Sequence, residues 1–321
     1  MADAKLSALY CDPDADVIFR SCDAVDFRLH KLILHKASPV FRDMFGLPED
    51  PTQRGIPQTV AMTEDAMTLQ DLLSFCYPFP RPDFQNLDRL LSVLRASLKY
   101  DMAFLVGELG RHLKLFVPAE PLRVYAIAYT MLDDADLARA AAKHLLHDPL
   151  FSDPLVPPPE FDSLPARALS IVGAYRRQCI VAAQSVLLDF DWMYYGAHGR
   201  GVGSLIGPVC ANRMWAWLSC PACARGASGI IVHKRVDARE RAIWPRAWWQ
   251  TYADAVAKEL ALRPVGAVVT RIELMRPAVE EAAKCTTCAP KAMVDLVEYA
   301  NAMAKRIDEA TSKIDVKLPF A

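Results

Sequence analysis

The chain has 321 residues, 53% of them hydrophobic and 23% charged, with a formal net charge of -1. That is the balance of a globular protein large enough for two or three domains, each with its own core. It offers no basic surplus for a polyanion, which argues against nucleic acid as the main partner, and its near-neutrality leaves little repulsion against self-association. No apolar run has the length of a membrane-spanning helix, and the acidic opening MADAKLSALYCDPDAD lacks the apolar centre of a secretory signal. A cytoplasmic or nuclear location follows as the expectation, with the nine cysteines reduced, as buried thiols or metal ligands.

In chain order, residues 16–19 and 25–27 flank the polar Ser21-Cys22-Asp23 stretch and predict a short hairpin. A helical pattern follows through residues 29–35. Ser38-Pro39 then marks a second helix start, carrying Val40, Phe41, Met44 and Phe45 toward apolar neighbours and stopping at Gly46. Residues 58–62 read as another strand. Thr63 or Glu64 precedes a helix bearing Met67, Leu69, Leu72, Leu73 and Phe75. The prolines at 78, 80 and 82 end it. Two amphipathic helices follow, one through Leu87 to Leu98 and one from about Met102 to Phe116, separated at Tyr100-Asp101.

These residues resemble the BTB/POZ family. The resemblance rests on Asp16-Val17 with Phe19, then Phe27-Arg28-Leu29-His30-Lys31 with Leu34, then Ser38, Phe41 and Met44-Phe45. Val60, Phe75, Tyr77, Ala96 and Lys99-Tyr100 continue it. It implies an α+β fold, a small sheet capped by a helical cluster, over residues 1–117. It also implies that Asp16 and His30 lie close together in a largely buried part of a dimer region, and that Phe27, Ser38 and Phe41 hold the fold. A homodimer would bury apolar surface around Leu6, Leu9, Val40 and Met44. The Tyr77-Pro78-Phe79-Pro80 turn stands where many members have a glycine turn, and it suggests a fungal-type branch. The family implies protein binding as an adaptor or scaffold; some members place targets on cullin ubiquitin ligases and others act in transcription or at chromatin.

Residues 118–152 predict a helical extension, with Asp134 starting its second helix. The five prolines 154, 157, 158, 159 and 165 make residues 153–165 a connector. Residues 166–321 predict a mainly helical C-terminal domain that opens with a helix over 167–192. The glycines at 199, 201 and 203 satisfy neither the phosphate-loop nor the dinucleotide pattern and read as a loop.

The site-like signal of this last part is a doubled C-x-x-C: Cys220 with Cys223, and Cys285 with Cys288. Two such knuckles supply four soft thiolates for a structural zinc ion, closed to substrate because no coordination position is left open. Two other readings stand beside it: thiols that merely pack, and a redox-active pair, although no strand–C-x-x-C–helix context surrounds either one. Between the pairs, Ile243, Trp244, Trp248, Trp249, Tyr252, Val256 and Leu260 predict a tryptophan-rich helix. A peptide-binding or stacking role for this cluster, with the basic residues from His233 to Arg241, is the alternative to core packing. A terminal helix over 293–314 is predicted to present Val294, Val297, Ala300, Met303 and Ile307. No hydrolase, kinase or dinucleotide motif occurs, so no catalytic residues are assigned and enzyme activity is not expected.

Overall fold

A computed structural model describes residues 5–47, 57–149, 157–188, 215–227, 230–233 and 240–320. The chain divides into two compact units, 1–120 and 121–321.

The first unit is α+β. Strands β1 (Lys5–Cys11), β2 (Val17–Arg20), β3 (Val25–Leu29) and β4 (Gln58–Ala61) form one sheet in the order β1-β3-β2-β4. β2 and β3 make the expected hairpin, with Val17 opposite Leu29 and Phe19 opposite Phe27. All four side chains are buried. The register follows from strand alternation, because a slip of one residue would turn these rings and branches outward. β1 runs parallel to β3 and β4 parallel to β2.

Helices α1 (Lys31–Ala37) and α2 (Pro39–Phe45) are split at Ser38. Its hydroxyl accepts the Phe41 N–H and donates to the Tyr100 carbonyl, so one buried serine caps α2 and ties it to the far helical cluster. Phe41 packs its ring 5.2 Å from Phe19 and 4.6 Å from Tyr100. Val40, expected to pack inward, is exposed, because it lies off the face that carries Phe41. α3 (Ala66–Ser74) follows Thr63 and Glu64 as expected and is capped by Asp65, whose carboxylate accepts from the Thr68 N–H. α4 (Leu87–Lys99) starts at Asn86 and buries Leu87, Leu90, Leu91 and Leu94 on one stripe. α5 (Ala103–Leu113) completes the cluster.

The second unit is mainly helical. α6 (Pro121–Ile127) runs into a π-helical turn at Ala128–Leu132, and α7 (Ala135–His144) begins at Asp134, which caps it as expected. Its buried alanines 138, 141 and 142 allow close packing. Within the proline-rich stretch, Pro159–Ser163 is a 3-10 turn whose buried Glu160 is met by Arg123 of α6. α8 (Ala166–Leu188) follows; the rest of the predicted helix, to 192, lies outside the described residues, as does the 198–203 loop. The Tyr125 hydroxyl donates to the Ala168 carbonyl, and Arg176 of α8 donates to the carbonyls of Leu145, Asp148 and Leu262.

α9 (Ala216–Ser219) is a single turn. β5 (Ile230–His233) and β6 (Glu240–Ile243) form an antiparallel pair that the sequence reading missed. Ile243 therefore belongs to a strand, Pro245 keeps the next helix from starting earlier, and Trp244 is exposed. α10 (Ala247–Leu262), α11 (Ile272–Ala282) and α12 (Ala292–Ser312) build the core. Trp217 stacks on Trp249 at 4.9 Å, and both meet Tyr299 edge-on. On α12 the buried stripe is Asp295, Leu296, Tyr299, Ala300, Met303 and Ile307. Val294 and Val297, expected to pack, are exposed at 51% and 37% because they fall on the flanks of that stripe.

Candidate metal centre and interaction face

In the first unit Phe27, Ser38 and Phe41 are each about 1% exposed, which places them in the core. Asp16 and His30 are placed differently. The exposed Asp16 carboxylate accepts the Lys31 N–H at 2.7 Å, at the start of α1. The half-buried His30 ring turns its Nε2 to Asp12, 3.6 Å away, while the His30 N–H donates to the Tyr77 hydroxyl at 2.8 Å. The two expected neighbours are thus joined through the backbone of residues 30 and 31, and within one chain neither side chain is fully buried: Asp16 is exposed and His30 half-buried.

The same unit leaves large apolar side chains exposed on three elements. Leu6 and Leu9 on β1, Leu32 on α1 and Val40 on α2 are 45%, 47%, 69% and 40% exposed. Beside Leu9 lies a pocket of about 270 Å³ walled by Tyr10, Tyr77 and Phe79, with Arg28 and His30 also lining it. β1 is an edge strand, so one row of its backbone groups faces no neighbouring strand of this sheet.

In the second unit the two C-x-x-C pairs come together. The first follows the single turn α9, where the Cys220 N–H closes on the Ala216 carbonyl. Its base is fixed by neighbouring backbone: Arg246 N–H donates to the Trp217 carbonyl at 2.8 Å, Ala247 N–H to Ala224 at 3.0 Å, and Gly226 N–H to Pro245 at 2.7 Å. The Ala216 N–H, at the start of that turn, donates to the buried Asp295 carboxylate at 2.7 Å. The second pair sits where α11 ends. The N–H groups of Cys288 and Ala289 return to the Cys285 carbonyl at 3.1 and 2.9 Å, curling the chain into a knuckle before α12.

All four sulfur atoms lie within 4.8 Å of one another and could hold a metal ion. Cys220 Sγ is 3.7 Å from Cys285 Sγ, and Cys223 Sγ is 3.6 Å from Cys288 Sγ. These separations exclude disulfides, whose sulfurs stand about 2.0 Å apart. They match the edge of a tetrahedron with metal–sulfur bonds of about 2.3 Å, which is roughly 3.8 Å. The backbone N–H of Cys288, with a hydrogen bond from Cys223 and the N–H of Thr287, lowers the Cys285 thiol to about 6. Burial pushes Cys223 up to about 11 and raises Cys288 as well. The indole nitrogen of Trp248 is buried without a hydrogen-bond partner. A cation among the four would neutralise the repulsion that opposes full deprotonation of so compact a set.

The sequence therefore named all four thiols. It missed Asp295, whose carboxylate holds the turn that leads to Cys220. The basic stretch from Lys234 to Arg239 lies outside the described residues, and Trp215, Trp217, Trp248 and Trp249 are core residues. No helix among the described residues is long and apolar enough to cross a membrane. Compared with known families, residues 9–115, a third of the chain, match the model of the BTB/POZ domain. No curated protein matches the chain.

Proposed function

Residues 9–115 are a BTB/POZ domain, and from that premise we propose that this protein is a homodimeric adaptor or scaffold with no catalytic role of its own. The domain itself is a protein-interaction module. The observation that carries the homodimer is the exposure of Leu6 and Leu9 on the edge strand β1, with Leu32 and Val40 also exposed on α1 and α2. A second copy offers the same apolar side chains, which is what a self-complementary interface needs.

The second unit supplies the client-facing part of the adaptor, and its four cysteines form a structural zinc clip. Four thiolates suit zinc and leave no site for substrate; iron shares the geometry and is distinguished by colour. Reduced thiols fit a cytoplasmic or nuclear location. Metal analysis of protein purified without chelator is expected to give one zinc per chain, and less than about a tenth of an equivalent, with four titratable thiols, defeats the clip.

The adaptor reading is tested by calorimetry against the N-terminal region of the BTB-binding class of cullin. A dissociation constant near or below about 1 μM, with one cullin per chain, makes the protein a ubiquitin-ligase adaptor. Absence of binding directs the search to a scaffold or transcription-linked partner, recovered with the full chain.

A further inference from the structure

We propose that the four-cysteine site is a peroxide-responsive clasp, which exchanges its metal for two disulfides that cross between the knuckles, Cys220 to Cys285 and Cys223 to Cys288. This rests on the zinc reading above. The geometry that points to it is the pairing of accessibility with proximity. Cys223 and Cys285 are partly exposed, whereas Cys220 and Cys288 are buried. Each partly exposed sulfur has a buried sulfur of the other knuckle at 3.6–3.7 Å. A small oxidant can reach the outer member of each couple, and the resolving thiol stands against it with no rearrangement beyond about 1.6 Å of closure.

The chemistry is complete with a hydroperoxide as the oxidant. The outer thiolate attacks the peroxide oxygen, the O–O bond breaks, and a sulfenic acid forms as hydroxide leaves and is protonated to water. The inner sulfur attacks that sulfenic sulfur, an S–S bond forms, and the S–O oxygen leaves as a second water. Over both couples, four thiolates lose four electrons, two molecules of hydrogen peroxide and four protons become four waters, and one divalent zinc ion is released. Oxidation within each C-x-x-C would unlink residues 220–223 from 285–288. Crossed oxidation keeps them joined, so the unit loses its metal without losing the link between its knuckles.

The test uses the full-length zinc-loaded protein. Hydrogen peroxide is added in steps, zinc release is read with a chromogenic chelator, and the disulfides are mapped by non-reducing digestion and mass spectrometry. The expected result is one zinc released for every two peroxides, with the 220–285 and 223–288 linkages dominant and reversed by dithiothreitol. Linkages 220–223 and 285–288, or zinc retained at a tenfold excess of peroxide, overturn the proposal. Cys223→Ser is expected to leave 220–285 as the principal linkage; a shift to 285–288 counts against it. Protein that neither carries nor takes up zinc defeats the zinc reading separately, because the linkage map can still be made on the metal-free chain.

Discussion

Asp295 holds the backbone N–H of Ala216 at 2.7 Å across 79 positions of sequence, and its carboxylate is 1% exposed. The bond fixes the helical turn that delivers Cys220, from the helix that follows Cys288. Removing it leaves a buried donor without its acceptor, which costs about 1–3 kcal/mol. Asp295→Ala should lose that much in urea denaturation and weaken zinc binding by about 10–100-fold, the range for groups that orient ligands from behind. Asp295→Asn keeps an acceptor oxygen and should fall between the two. Unchanged zinc affinity in the alanine variant would show that Asp295 does not position the site.

Arg123 and Glu160 form another long-range tie of the C-terminal unit, with two hydrogen bonds of 3.0 and 2.7 Å and only 16% and 3% of each side chain exposed. Breaking a buried pair strands the remaining charge, so Arg123→Ala should destabilise the unit by about 3–5 kcal/mol. Arg123→Met with Glu160→Leu should recover most of the loss. Equal stability for the single and double variants would contradict this account of the pair.

Glu64 links folding of the first unit to pH. Burial raises its pKa, but hydrogen bonds from Lys99 and Tyr100 outweigh that, and the folded value lies below its ordinary one. The linkage therefore stabilises the fold above the unfolded glutamate range of about 4.3 and fades as pH falls through the folded value. Glu64→Gln should lower stability by about 1–2 kcal/mol near neutrality, a figure discounted because Lys99 is partly exposed. The gap between parent and variant should close as pH is lowered toward the folded pKa. A gap that stays constant across that interval would remove Glu64 from the acid response.

Leu9→Asp places a charge on a side chain already 47% exposed. Folding stability should change by no more than about 0.5 kcal/mol, since no core contact is lost. Self-association should weaken at least tenfold if that leucine is buried against a second copy. Chemical denaturation and sedimentation of the same sample separate the two effects.

Much of this was legible in the sequence, for reasons that differ by residue. Ser38-Pro39 and Asp134 announce helix starts through chemistry local to the chain, and Phe19, Phe27 and Phe41 sit where strand and helix periods point inward. The doubled C-x-x-C carries its own geometry. What failed was phase and tertiary choice. The sequence places a helix after Thr63 or Glu64, and only the folded chain shows that Asp65 is the residue that caps it. Val294 and Val297 fit a helical period as well as Leu296 and Tyr299 do, and the presence of the tryptophan core decides which stripe is buried. Nothing in the sequence marks out Asp295, because its partner is a backbone group 79 residues away.

The most direct test of the adaptor account is sedimentation equilibrium of the full chain at about 20 μM, above the roughly micromolar dissociation constants of modest protein pairs. The account predicts a species of twice the 35.7 kDa chain mass, reduced toward the single mass by Leu9→Asp. A parent protein that sediments only at the single-chain mass would contradict it.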